Sequence, residues 1–385
     1  MTTEVDVVVV GARCAGAATA LLLARRGHRV LVLEKARPGS DTLSTHAFMR
    51  GGVVQLSRWG LLDRLVAAGT PPVRSVRFHM SSEESGYETN TVAVKPSAGV
   101  DALYAPRRTV LDRILVDAAI AAGADVHFGV SVTGLDRDHS GRVVGIFGHD
   151  RGGDPLHVRS RLVVGADGKR SLVARETGAA TLRSGTGSGS VVYAHWDGLA
   201  ANGYEWFYRP GASAGLIPTN DGEVCVFAGT SSERFQREIT GDTRAGYLRL
   251  LKEATSGDAR LHPSGAPARL WVYHGRPAYA RQPWGPGWAL VGDAGHYLDP
   301  LATHGMTDAF RDAELLADAA NGLLQGEEEA VALAAYQNRR DGIAAPMFPA
   351  ADEVGSYRWS LPRVNELLLE LSAAMKVEAT ALAAL

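Results

Sequence analysis

Gly11-Ala12-Arg13-Cys14-Ala15-Gly16 stands between a four-valine run, Val7 to Val10, and an Ala/Leu-rich stretch, Ala17 to Arg26. A glycine-framed turn between a strand and a helix offers backbone N–H groups and the positive end of the helix to an anion, so the chemistry on offer is the cradling of a diphosphate. The usual spacing is G-x-G-x-x-G. Here Arg13 occupies the middle glycine's place, where close backbone approach is otherwise needed, and its guanidinium can lie along the anion instead. Glu34 ends the next apolar run, Arg29 to Leu33, and is placed to accept hydrogen bonds from ribose hydroxyls. Together these residues predict a dinucleotide site.

Two later segments repeat the theme of an Asp beside a Gly after a buried run: Leu162 to Ser171, with Asp167, and Ala289 to His296, with Asp293. Three other groupings read as bland. His296, Asp299 and His304 fall close together, but a metal on that loop leaves the Gly-Asp-Ala-Gly turn without purpose, so no metal is expected. Gly211-Ala212-Ser213-Ala214-Gly215 spells the nucleophile-elbow pattern, yet it leads into a strand rather than a helix and reads as a hairpin turn. Cys14 and Cys225 have neither metal nor disulfide spacing, which fits a reducing, cytoplasmic setting.

The elements that must position these residues follow from periodicity. Val7 to Val10, apolar on both faces, predicts a central parallel strand, and the turn, helix and second strand after it make a β-α-β unit. The apolar opening is broken by Asp6, Gly11, Arg13 and Gly16 and lacks a positive leader, so it is neither a signal peptide nor a membrane span. Thr109 to Ala122 carries helical spacing, and Ala124 to Phe128 extends the first sheet. Short β-rich runs fill Val73 to Val94 and Val130 to Val164. A second, largely antiparallel block follows, with strands at Ser190–His195, Tyr204–Arg209, Gly215–Pro218, Glu223–Gly229 and Arg269–His274 and a helix near Thr243–Thr255. After a short strand at Trp288 the chain turns helical over Met306–Leu324, Glu328–Arg340 and Arg363–Leu385. The 385 residues allow two or three domains. A formal net charge of -2, without basic runs, excludes a nucleic-acid face.

The three motifs, in this order and with these separations, resemble the flavoprotein hydroxylases of the p-hydroxybenzoate hydroxylase type, the single-component FAD monooxygenases, and their geranylgeranyl reductase-like relatives. The resemblance covers essentially the whole chain. It implies an α/β fold: a Rossmann-like FAD-binding domain from 1–72, 101–180 and 281–345, an antiparallel-sheet substrate domain from 73–100 and 181–280, and C-terminal helices at 346–385. It implies FAD as cofactor, with contacts from Gly11, Arg13, Cys14, Ala15, Gly16, Glu34, Lys35, Arg50, Arg108, Val132, Asp167, Asp293 and Pro300. Backbone contacts to the flavin ring would come from His304, Gly305 and Met306, although Thr303-His304-Gly305 and Thr307 replace the family's usual Gly-Gln-Gly and Asn.

The implied reaction uses NAD(P)H as a transient reductant and O2, through a flavin C4a-hydroperoxide that hydroxylates or epoxidises a small hydrophobic, aromatic or polyketide-like metabolite. Reduction of a carbon–carbon double bond and a non-redox cyclisation are the alternatives. Tyr204, Trp206 and Tyr208, which alternate onto one face of a strand, and Leu216 are candidates for the substrate pocket. His46 and His304 are candidates for acid–base work, beside the plainer reading of His46 as a structural histidine.

Overall fold

The computed structural model describes residues 3–82, 86–262 and 265–385. Its first sheet is built on β1 (Thr3–Val10), which pairs in parallel with β2 (Val30–Glu34), Val7 opposite Val30. On its other side β1 pairs in parallel with Pro155–Gly165, which pairs in parallel with Trp288–Leu290, while Asp125–Phe128 lies beyond β2. The valine run is uniformly apolar because both faces are covered. Val7 and Val9 join one core cluster, beneath helix α1 (Cys14–Ala24), and Val8 and Val10 join another on the opposite face. Two antiparallel strands, Ser131–Arg137 and Val143–His149, are added to the far end of Pro155–Gly165.

The turn from β1 into α1 depends on its glycines. Gly11 adopts φ +105°, and a Cβ there would lie 2.5 Å from the Ala166 carbonyl oxygen; at Gly16 it would lie 1.8 Å from that of Gly11. Arg13, by contrast, is extended (φ −81°, ψ −172°), so the missing middle glycine costs the backbone nothing.

The second sheet has seven strands, in the order Trp271–Tyr273, Gly189–Trp196, Val224–Ser231, Ala212–Pro218, Tyr204–Arg209, Ser75–Ser82, Gly86–Ala93. It is antiparallel except where Tyr204–Arg209 meets Ser75–Ser82. One face, with Tyr193, Tyr204, Trp206 and Tyr208, packs on helices Met347–Ser356 and Leu361–Ala383; the other, with Phe207 and Leu216, packs under helix Thr243–Ala254. A small third sheet joins Thr181–Ser184, Tyr279–Arg281 and His296–Tyr297. The α/β class, with a parallel sheet, an antiparallel sheet and C-terminal helices, is therefore the fold.

Three local details differ from the sequence expectation. The first helix begins at Cys14 rather than Ala17, so the second half of the glycine turn is already helical. Met347–Ser356 is a further helix, with Pro346 at its N-cap and Pro349 in its first turn, where no intrahelical N–H is needed. Ser232–Glu238 also forms a helix, capped by the Ser231 side chain. The hairpin turn is confined to Pro210 and Gly211, with Gly211 at φ +78°; Ala212 to Gly215 already belong to the strand that follows, so no helix opens at Ser213. Among the described residues no helix is long and apolar enough to cross a membrane.

Candidate active site

A cleft opens at the C-terminal ends of β1, Pro155–Gly165 and Trp288–Leu290, where open parallel sheets place their ligands. Its walls come from Arg13 to Ala15, the loop Leu43 to Ala47, Arg108, Ala166 to Lys169, Asp293, and the loop from Tyr297 to Met306.

At the first end, α1 makes its first intrahelical bond from Ala17 N–H to the Arg13 carbonyl (2.9 Å), so the N–H groups of the preceding turn are not part of the ladder. Asp112 orders the cations beside that turn. It accepts from Arg108 (3.0 and 3.2 Å), Arg13 (3.1 Å) and the Cys14 thiol (3.3 Å). Burial alone would favour the neutral form of Arg108, yet Asp112 reverses this and holds its pKa above the ordinary arginine value. Two guanidiniums sharing one carboxylate leave a net positive charge at a helix N-terminus, which suits a diphosphate. Arg13 also donates to the Ser40 carbonyl (2.7 Å). Glu34 accepts the Ala12 and Ala36 N–H groups (2.9 and 2.8 Å), one on each oxygen, and each oxygen retains a lone pair for a hydroxyl.

Further along, Asp293 is held in the cleft wall without any hydrogen bond from the described residues to its carboxylate. Burial raises its pKa, and the nearby Lys169 opposes that shift. Lys169 shows the reciprocal pattern, lowered by burial and supported by Asp293; its ammonium lies 4.2 Å from the Tyr273 ring centroid and 4.9 Å from that of Tyr297. Asp167 accepts from Leu172 N–H (2.6 Å) and Val173 N–H (3.3 Å), which ties its loop down and leaves its other oxygen buried without a partner. Carboxylates with acceptor capacity to spare and a cation-lined helix start are a set that fits FAD: arginines and helix N–H groups for the diphosphate, Glu34 and Asp293 for hydroxyls.

The loop Pro300 to Met306 leads into helix Gly305–Leu324, with Thr303 in the left-handed region (φ +56°). Asp299 fixes this loop to the second sheet by accepting Leu301 N–H (3.0 Å) and Gly189 N–H (2.9 Å). The His304 side chain turns to Glu378 of the C-terminal helix, Nε2 to Oε2 2.5 Å, in a fully buried group with Asp308 and Arg311. Burial opposes charge on His304, but Glu378 and Asp308 raise its pKa overall. On the opposite wall His46, at φ +70°, contacts His195 of strand Gly189–Trp196, Nε2 to Nε2 2.9 Å. Burial, and then His195 and the cations Arg107 and Arg108, lower its pKa well below the ordinary value.

Several expected site residues fall outside the cleft. Tyr204, Trp206 and Tyr208 do share a face, but that face is the core against the C-terminal helices. The Tyr204 hydroxyl donates to the Tyr104 carbonyl (2.6 Å) and accepts Phe48 N–H (3.2 Å). Leu216 lies in the core on the other side of the sheet. Tyr204, Trp206 and Tyr208 share their core with Ala47, Leu298, Leu301 and Ala302 of the loops that border the cleft, and none of the four expected pocket residues lines the cleft itself. Arg50 also turns away: its guanidinium donates to the carbonyls of Lys95 (2.6 Å) and Val100 (3.1 Å). Lys35 is exposed after β2, and Val132 is packed beside the first sheet, past the Val130 N–H that donates to the Glu34 carbonyl (3.1 Å).

Asp112, Lys169, His195 and Glu378 were given no role from sequence. Asp112 could have been found as the i+4 partner of Arg108, and Glu378 as an acid inside the stripe Leu371, Met375, Leu382.

The match to known proteins agrees with this geometry. Residues 4–351 match the family model described as FAD binding domain, and the chain belongs to that family; it is an FAD-dependent oxidoreductase. Among its relatives, digeranylgeranylglycerophospholipid reductase of Methanocella arvoryzae is 28% identical over 348 residues, covering 87% of this chain and 82% of the reductase. The 2,4-dichlorophenol 6-monooxygenase of Delftia acidovorans is 24% identical over 379 residues, covering 91% of this chain and 62% of the enzyme, so the chain spans less than two thirds of that relative. In fold, Pseudomonas aeruginosa PqsL in complex with 2-aminobenzoylacetate superposes with a TM-score of 0.80 at 21% identity, covering 95% of this chain and 100% of that one.

Proposed function

We propose that this flavoprotein is an NAD(P)H- and O2-dependent monooxygenase that acts on a small aromatic molecule bearing a hydroxyl group. The observation that carries this reading is the polar stretch Ser44, Thr45 and His46 in the cleft wall, whose hydrogen-bonding groups suit a ligand hydroxyl better than a prenyl chain. The aromatic residues able to line such a channel are spent in the core.

FAD bound along the cleft supplies the electron transfer and the reaction with oxygen. The chain's own groups do the rest. Arg13, Arg108 and the start of α1 hold the diphosphate, and Asp293 holds hydroxyls of the linker. The start of helix Gly305–Leu324, which borders the cleft, would offer the positive end of the helix to a flavin bound there, a charge suited to a group that gains electrons. The nicotinamide is read as a visitor, since the chain carries one nucleotide turn. A second reading, reduction of a carbon–carbon double bond, draws on the 28% identity to the archaeal reductase.

The deciding experiment is oxygen uptake and NAD(P)H oxidation by the flavin-loaded protein across a panel of phenols and prenyl compounds. Phenol-dependent uptake with a hydroxylated product supports the first reading. A saturated prenyl product formed without oxygen establishes the second.

A further inference from the structure

Cys225 stands directly opposite His195 on neighbouring antiparallel strands, Val224–Ser231 and Gly189–Trp196, so the two side chains share one face of the second sheet. The loop that walls the cleft is laid on that face. Ser44 N–H donates to the Tyr193 hydroxyl (3.0 Å), and Ala47 joins the core that holds Tyr193 and Cys225. Between these two anchors His46 is held at φ +70°, its own N–H donating to Ser44 Oγ (3.0 Å). A left-handed backbone outside glycine costs free energy and gathers where a side chain must be aimed. His46 is aimed at the sheet: its Nε2 lies 2.9 Å from His195 Nε2, and both nitrogens and the Cys225 sulfur fall within 4.8 Å of one another.

Three metal-type donors from distant parts of the chain thus converge, an arrangement that their spacing in sequence does not announce. A direct hydrogen bond between the two rings leaves the Cys225 thiol, fully buried, with no partner among the described residues. We propose that His46, His195 and Cys225 form a zinc site that ties the cleft loop to the second sheet. Imidazole nitrogen and thiolate sulfur are ligands this ion takes, and three protein ligands leave its fourth position to water. With zinc–nitrogen bonds of about 2.0–2.1 Å and a zinc–sulfur bond of about 2.3 Å, tetrahedral ligands sit roughly 3.3–3.6 Å apart, so a small parting of the rings admits the ion.

On binding, the Cys225 S–H bond breaks and a zinc–sulfur bond forms. The thiol proton leaves to solvent, both imidazoles bind through Nε2 with their protons on Nδ1, and nothing is oxidised or reduced. Burial, and then the cations nearby, keep both rings neutral, the form that ligates. Burial also holds the Cys225 thiol protonated, a penalty that the charge of a bound ion overcomes. The cations closest to the site are compensated: Arg107 pairs with Glu223 and with Asp41 (3.4 Å), and Arg108 with Asp112 (3.0 Å). His195 is only half-buried, so the donors are not sealed from solvent.

The test needs neither substrate nor reductant, so its outcome is independent of the reaction class. The purified flavin-loaded protein is stripped with a chelator, supplied with zinc chloride and passed through gel filtration; metal content is read by elemental analysis and affinity by competition with a chromophoric chelator. One zinc per chain is expected, bound with release of a proton. Cys225→Ala and His195→Asn should each weaken binding by more than the roughly 10–100-fold that changes outside a metal's own ligands cost. Where a variant fails to fold, X-ray absorption at the zinc edge of the wild type decides, with one sulfur neighbour at about 2.3 Å expected beside imidazole nitrogens.

A wild type that retains no zinc, a zinc edge without a sulfur neighbour, or wild-type affinity in either variant would overturn the site. Zinc kept by both variants but lost in Glu378→Gln would move the ion to the buried group of His304, Asp308 and Glu378, and would overturn it equally.

Discussion

His46 and His304 line the same cleft and are both buried, yet their surroundings move their proton affinities in opposite directions. Beside His46 stand another imidazole and the cations Arg107 and Arg108, and the proton affinity falls. Beside His304 stand Glu378 and Asp308, and it rises despite burial. Burial penalises the charged form in both places, so the neighbours decide the sign. The two walls differ in what they gather: the one reached from the second sheet sets imidazoles beside cations, while the one under the flavin loop sets an imidazole and Arg311 among carboxylates that tie the helix to the C-terminal helix.

The largest effect should come from breaking the charged wall. Arg311 is fully buried and binds Asp308, Asp312 (2.8 Å) and Glu378 (3.1 Å). Arg311→Met leaves three carboxylates without their cation, and a loss of about 3–5 kcal/mol in urea unfolding is expected. A loss under 1 kcal/mol would show that the cluster is neutral or solvated.

Glu378→Gln should cost less, about 1–3 kcal/mol at pH 6. Because the folded-state pKa of His304 is raised, its contribution is full below the unfolded value, 6.5, and disappears as pH rises through the folded one. Wild-type melting temperature should therefore carry a decline above pH 6.5 that the variant lacks. Equal slopes for the two proteins would sink the assignment of charge to His304.

Asp293→Ala tests the carboxylate between the two walls. Flavin dissociation is expected to strengthen roughly 10–100-fold, read by loss of yellow absorbance on dialysis. Retained flavin would remove Asp293 from the site.

The smallest effect should belong to His195→Phe. The pKa of His195 is lowered to about 4, first by burial and then by Arg107. As pH falls from 6.5 towards 4 the unfolded chain takes up a proton before the folded one does, and stability drops. The variant should show a shallower acid limb in thermal melts; an unchanged limb would place the His46 and His195 contact outside the folded state's proton balance.

Much of the cleft was legible because it is made by local backbone demands. Gly11 and Gly16 are dictated by contacts of the strand–turn–helix unit with itself and with Ala166, and Glu34 and Asp293 follow strands whose apolar runs mark them. Arg108, expected near the cofactor from its motif, lines the cleft, whereas Arg50, read in the same way, turns to the Lys95 and Val100 carbonyls because that loop lies within reach of its guanidinium. The aromatic strand shows the limit most plainly. Alternation correctly put Tyr204, Trp206 and Tyr208 on one face, but a period of two cannot say whether that face meets a cleft or a helix.

The sequence by itself determined the nucleotide turn, the order of the two sheets' strands along the chain and the acids that follow them, because glycine conformation and apolar periodicity act over a few residues. Only the tertiary structure decided which way each histidine's proton affinity moves, where the aromatic face is spent and which distant side chains meet: His46 with His195, Arg108 and Arg13 with Asp112, His304 with Glu378. Electrostatic shifts inside a protein depend on what lies within a few ångströms in space, and those neighbours come from chain segments far apart in order.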